Sequence, residues 1–199
     1  MRSQHKFARL LTTWILAVML ASAGSFTAFA QDKCETIDAS AMGTSTQMGK
    51  LVPIKVRICT FSTPEDRQLL VNAFLEGQSE GLTKALEKMK PAGRISLPGT
   101  TGYDIAFARV IPTSTGRKIR FVTDRKISFG EAYRNTQSQA YSLTAGELDL
   151  NDQDKDKSTG VLFPAAQFVI TADGELQLEL NRNPWKLTNI IDWSAKDKD

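Results

Sequence analysis

The sequence predicts an α+β fold: an antiparallel sheet of seven or eight strands, able to curl towards a barrel, with one long amphipathic helix packed on it. Three observations carry this. From Pro64 to about Lys90, Leu70, Val71, Phe74, Leu75, Gln78, Leu82, Ala85, Leu86 and Met89 share one half of a helical wheel. Asn72, Glu76, Glu80, Thr83, Glu87 and Lys90 occupy the other half. After Pro91 the chain turns to alternating apolar and polar residues punctuated by turn signals, the pattern of half-buried strands. These strands are short, closely spaced and hairpin-linked, which favours antiparallel pairing.

Taken in order, residues 1–30 read as a secretory signal peptide. Arg2, Lys6 and Arg9 form a basic start, Leu10 to Ala21 is largely apolar, and Ala28-Phe29-Ala30 is a small-residue cleavage signature. Cleavage is expected after Ala30, which places the protein in the periplasm or outside the cell. The apolar run, broken at Thr12 and Thr13, is short for a membrane span; an uncleaved anchor is the alternative. No transmembrane segment is expected in the mature chain. The segment holds three of the 25 basic residues and none of the 22 acidic ones, leaving 22 of each sign. That balance gives no electrostatic reason to expect nucleic acid as a partner. The single histidine, His5, also lies there, so the mature chain has no imidazole for a serine or cysteine nucleophile system or for a histidine-ligated metal. No cofactor or metal is expected.

Residues 31–50 are small and polar with little periodicity and read as an irregular or extended arm. In an exported protein, Cys34 and Cys59 are expected to form a disulfide tying this arm to the first strand; two buried free thiols are the alternative. Residues 51–195 form the single α+β domain. Leu51 to Phe61 is its first strand, with Val52, Ile54, Val56 and Ile58 alternating and Pro53 marking an edge or late start. The helix follows, opened by Thr63 as N-cap, Pro64, Glu65 and Asp66, and closed by Lys88, Lys90, Pro91 and Gly93. Gly77 and Gly81, one turn apart, point to close packing on the sheet or a mild kink, with a ligand groove as the alternative.

Arg94 to Leu97 is a short strand. Tyr103 to Ile111 places Tyr103, Ile105, Phe107, Arg109 and Ile111 on one face, and Arg117 to Thr123 returns as a hairpin. Ile127 to Arg134 is ambiguous. Gln139 to Leu150 is a strand with a bulge at Gly146, and Val161 to Ala172 is interrupted by Pro164. Asp173-Gly174 turns the chain into Glu175 to Asn181, and Trp185 to Trp193 is the last strand. Residues 196–199 form a solvated tail.

Candidate chemistry is sparse. Asp152, Asp154, Asp156 and Ser158 imitate the start of a calcium loop, but Lys157 and Phe163 stand where that loop needs glycine and a carboxylate, so a solvated hairpin loop is expected. Asp124 and Arg125, with Glu131 and Arg134, form the densest charged cluster beside apolar strands. A turn with ion pairs is the simpler reading; acid–base work or anion binding is the other. Trp185 and Trp193 share a face of the last strand, with Tyr103, Phe107 and Tyr141 as candidate neighbours, either in a core or around a cavity. No Gly-x-Ser-x-Gly elbow, Ser-x-x-Lys motif or phosphate-binding glycine loop occurs.

Several runs resemble a group of exported bacterial proteins. They are Thr63-Pro64-Glu65-Asp66-Arg67, Gly93-Arg94-Ile95-Ser96-Leu97-Pro98-Gly99, Gly102-Tyr103-Asp104, Phe107-Ala108-Arg109 and Thr123-Asp124-Arg125-Lys126-Ile127-Ser128-Phe129. The likeness extends roughly from Cys59 to Trp193. No activity is established for the group, so the resemblance implies the fold and export and adds no catalytic residue.

The expected function is therefore that of a non-enzymatic binding or interaction protein of the cell envelope, its partner a small molecule or an envelope protein. Its expected binding surface comprises Tyr103, Arg109, Asp124, Arg125, Glu131, Tyr141 and Trp185. The alternatives are a histidine-free enzyme using the Asp124 and Glu131 carboxylates, and an envelope structural protein.

Overall fold

A computed structural model describes residues 34–43, 51–127, 143–178 and 184–194, all within one compact unit, Lys33–Asp199. The main element is a closed antiparallel barrel of eight strands. In chain order these are β1 (Glu35–Met42), β2 (Leu51–Ile58), β3 (Gly93–Ser96), β4 (Tyr103–Pro112), β5 (Gly116–Thr123), β6 (Leu143–Asn151), β7 (Thr159–Ala166) and, after two short strands, β10 (Trp185–Asp192). Around the wall the order is β1-β10-β7-β6-β5-β4-β3-β2, and β2 pairs back onto β1. The short strands, β8 (Phe168–Ile170) and β9 (Leu176–Leu178), form a separate hairpin. Its turn uses Gly174 at φ 74°, a conformation that suits a residue without Cβ.

The barrel interior is filled. Ile37, Val56, Ile95, Ile105, Ile119, Leu148 and Leu162 have no solvent exposure and converge there with Phe121, Trp185 and Leu187. Eight strands enclose a space that side chains of this size can fill. Phe121 lies opposite Gly146, and a Cβ on that glycine would run into the phenyl ring. This is the role of Gly146; the bulge expected there falls instead between Leu143 and Ala145 in the pairing with β7. The extra residue sits on β7 and accommodates Pro164, which therefore does not end the strand.

The segment expected as an irregular arm supplies β1, the strand that closes the barrel. Ile37, Ala39 and Ala41 point inward. Two of the three are alanines, too weakly apolar to signal a strand by alternation. The Cys34–Cys59 disulfide clips this strand to β2 just beyond the Glu35–Ile58 pair.

The helical stretch α1 (Pro64–Lys88) opens with a full capping box. The Asp66 N–H donates to Thr63 Oγ1 at 3.2 Å, and the Thr63 N–H donates to Asp66 Oδ2 at 2.8 Å. It is not one continuous amphipathic rod. Gln78 breaks it at φ 50°, ψ −144°. Leu70, Val71 and Phe74 are buried before the break and Leu82 and Leu86 after it, while Leu75, expected on the apolar side, is 58 % exposed. Both segments pack outside the barrel, against Ala106, Phe107, Val122 and Leu143.

Trp185 and Trp193 fall on different faces. Between Ser40 and Asp38 the pairing of β1 with β10 gains a residue on β10, where Asn189 adopts φ 51°. Trp185 is buried in the core, whereas Trp193 is exposed and donates from Nε1 to Asp38 Oδ2 at 2.9 Å. The expected elements at 128–142, 179–183 and 195–199 lie outside the described residues. Among the described residues, no helix is long and apolar enough to cross a membrane.

Candidate functional site

A cavity of about 310 Å³ lies against the outer wall of the filled barrel. Its floor is the outer face of β4 to β7, through Phe107, Val122, Ala145, Val161 and Phe163. Leu70, Leu82 and Leu86 of α1 form one side, and Phe168, Leu176 and Leu178 of the β8–β9 hairpin form another. The small side chain of Ala145, itself buried, leaves room in the floor.

A β-bulge in β4 builds the polar part. Ile105 pairs with Thr123 but Phe107 pairs with Val122, so β4 carries one residue more than β5 at this point. Ile105 and Ala108 stay in the interior, while Ala106 and Phe107 both pack towards α1. Strict alternation would put Phe107 and Arg109 on the same face as Ile105; the bulge turns them out into the cleft. Tyr103, before the bulge, packs against the interior cluster. The single face expected for Tyr103, Ile105, Phe107, Arg109 and Ile111 is thus divided by one inserted residue.

Arg67, Arg109, Arg120 and Glu147 join the lining. Arg120 Nε donates to Glu147 Oε2 at 2.6 Å, and Lys118 Nζ donates to Glu147 Oε1 at 3.3 Å. Burial works to raise the Glu147 pKa, but the bonds from Arg120 and Lys118 outweigh it and hold the carboxyl below its ordinary value. Arg67 pairs with Glu175 in the turn of the hairpin. That contact, reinforced by the fields of Arg109 and Arg120, also lowers the Glu175 pKa. The Arg109 side chain makes no hydrogen bond or ion pair among the described residues and acts on Glu175 through its field. The cleft therefore has apolar walls and three guanidinium groups, two of them tied to carboxylates. Both carboxylates are held ionised and are poorly suited to donating a proton.

The residues expected as one binding surface do not converge. Arg109 reaches the cleft. Tyr103, Asp124 and Arg125 gather elsewhere, where the Arg125 guanidinium lies 5.6 Å from the centre of the Tyr103 ring and Arg125 Nε lies 3.9 Å from Asp124 Oδ1. Their turn is anchored by buried threonines. The Thr123 hydroxyl donates to the Arg125 carbonyl and accepts the Thr144 N–H, and the Thr144 hydroxyl accepts the Ile127 N–H at 2.8 Å. Burial raises the Asp124 pKa, Arg125 opposes this, and Asp104 adds to it. Trp185 belongs to the barrel core, and Glu131 and Tyr141 lie outside the described residues. The acidic loop at Asp152 to Ser158 folds on itself. Asn151 Oδ1 accepts the N–H groups of Gln153 and Asp154, and Lys157 pairs with Asp154 at 3.0 Å. Among the described residues, no three histidine, cysteine, aspartate or glutamate side chains are grouped to hold a metal ion.

Arg67, Arg120, Glu147 and Phe168 were not singled out in the sequence. One signal for the hairpin was available: Leu176 and Leu178 alternate beside the Asp173-Gly174 turn and need an apolar surface to cover. No family model, curated protein or solved structure matches the chain.

Proposed function

We propose that this is an exported, non-enzymatic binding protein of the cell envelope that holds a small, largely apolar molecule in the cleft between α1, the β8–β9 hairpin and the outer wall of β4 to β7. The observation that carries this reading is an apolar cavity of about 310 Å³ walled by three separate elements. Its size is at the lower end of small-molecule sites, which span about 300–1,000 Å³. Export rests on the basic and apolar N-terminal segment and agrees with the disulfide.

The test is a fluorescence titration with the neutral apolar dye N-phenyl-1-naphthylamine. Saturable one-to-one binding is expected, weakened at least tenfold in Leu178→Trp, which fills the cleft from the hairpin side. Ala145→Trp fills it from the floor, and thermal melts establish that each variant is folded. Absence of binding by the wild type, or equal binding by folded variants, would overturn the proposal.

A carboxylate-dependent enzyme using Asp124 and Glu131 is the second reading. It draws on the raised pKa of Asp124 and on its Oδ1, buried without a hydrogen-bond partner among the described residues.

A further inference from the structure

We infer that the cleft selects a singly charged anionic amphiphile, a carboxylate on one short apolar chain, and that Arg109 receives the carboxylate. This rests on the binding reading above and adds the chemical class of the ligand.

The first argument is the charge inventory of the cleft. Arg67 is matched by Glu175, Arg120 by Glu147, and Lys118, which also contacts Glu147, by Asp149. Arg109 has no ion pair among the described residues and meets Glu175 only through its field, so among them the cleft carries one positive charge in excess. The second is the placement of that charge. The β4 bulge puts Arg109 directly opposite Arg120, an arrangement of like charges that is unfavourable when empty and relieved when an anion lies against it. Arg109 is half-buried and lines the cleft together with Phe107, two residues earlier on the same strand, which belongs to its apolar part. A ligand with its head at Arg109 thus has its tail directed along apolar walls.

The third argument is selectivity. A guanidinium presents paired N–H groups that match the two oxygens of a carboxylate, and partial burial strengthens that contact relative to water. The ionised carboxylates of Glu147 and Glu175 repel a second negative charge on the ligand and disfavour doubly charged heads. The cavity volume of about 310 Å³ suits one short chain and is too small for a two-chain lipid.

The experiment is isothermal titration calorimetry of the disulfide-intact protein at pH 8 with decanoic acid, decanol and decylamine. The wild type, Arg109→Gln and Arg109→Lys are compared. Decanoic acid is expected to bind the wild type at least tenfold more tightly than decanol, with decylamine weakest. Arg109→Gln should bring the acid and alcohol affinities together, and Arg109→Lys should retain part of the preference. Equal binding of acid and alcohol by the wild type would overturn the anion selectivity while leaving the apolar cleft intact. An acid preference that survives Arg109→Gln would overturn the role of Arg109. If none of the three compounds binds, the cleft reading itself fails.

Discussion

Arg109 and Arg120 stand directly opposite one another across β4 and β5, and among the described residues Arg120 is ion-paired, with Glu147, while Arg109 is not. Like charges facing each other across a strand pair destabilise a sheet by a few tenths to about 1 kcal/mol. Arg109→Gln is therefore expected to leave the ligand-free protein as stable as the wild type or to stabilise it by about 0.5 kcal/mol. Urea unfolding measures this directly. A loss of stability beyond the error of the extrapolation would show that Arg109 holds the fold together.

Arg117 predicts the opposite sign. It donates from Nη1 to Glu35 Oε1 at 2.8 Å and from Nη2 to Asp192 Oδ2 at 2.9 Å. Those carboxylates belong to β1 and β10, neither of which neighbours β5 in the wall, so the guanidinium bridges non-adjacent strands. The Asp192 side chain is 11 % exposed and Glu35 Oε2 is buried without a hydrogen-bond partner among the described residues, so removing the arginine strands two carboxylates in poor solvent. Arg117→Leu is expected to destabilise the protein by about 2 kcal/mol, below the range for fully buried pairs because water still reaches this one. Arg117→Leu with the double change Glu35→Gln and Asp192→Asn should recover part of the loss. Failure of the triple variant to recover any stability would assign the effect to packing and not to charge.

The contrast between these arginines shows where the sequence was legible. Alternation in β2 and the cap at Thr63 follow local rules, and the structure matches them. What the sequence hid were single-residue insertions. One extra residue in β4 sends Arg109 outward while Tyr103 stays with the interior, and one in β10 separates Trp185 from Trp193. A bulge inverts every side chain beyond it, yet its signal is only a change of phase, easily lost in a ten-residue strand. β1 was hidden differently: its inward alanines fit a packed barrel but barely alter hydropathy. The cleft is assembled from elements distant in sequence, so no motif could announce it.

The break in α1 gives a three-position test. Gln78 sits at positive φ, a conformation that strains a residue with a Cβ by about 1–3 kcal/mol. Gln78→Gly is expected to stabilise the protein by about 1 kcal/mol once the greater freedom of glycine in the unfolded chain is set against it. At Gly77 a Cβ would meet nothing within 4 Å, so Gly77→Ala should stabilise by about 0.5–1 kcal/mol. At Gly81 a Cβ would collide with the Ala73 carbonyl, so Gly81→Ala should destabilise. Thermal unfolding of the three variants reads the pattern. Stabilisation by both Gly→Ala changes with destabilisation by Gln78→Gly would mean that α1 is continuous.

Asp124 supplies a pH signature. Burial raises its pKa in the folded state, with Asp104 adding to the effect and Arg125 opposing it. Between the unfolded and folded pKa values the folded protein binds more protons at this site, so its contribution to stability falls as pH rises through that window. Above the folded pKa the full penalty of holding a charged carboxylate beside a buried turn is present; below the unfolded pKa it is absent. Asp124→Asn is therefore expected to stabilise the protein at pH 7 and to leave it unchanged at pH 3. Glu147, whose pKa is lowered, behaves oppositely: its contribution is present at neutral pH and disappears as pH falls through its folded value. Glu147→Gln should destabilise at pH 7 and converge with the wild type in acid. Urea unfolding of both variants across pH 3 to 8 separates the two groups, since their difference curves have opposite signs. An Asp124→Asn variant less stable than the wild type at pH 7 would show that the ionised carboxylate is needed by the Arg125 turn, and would restore a structural role for the ion pair.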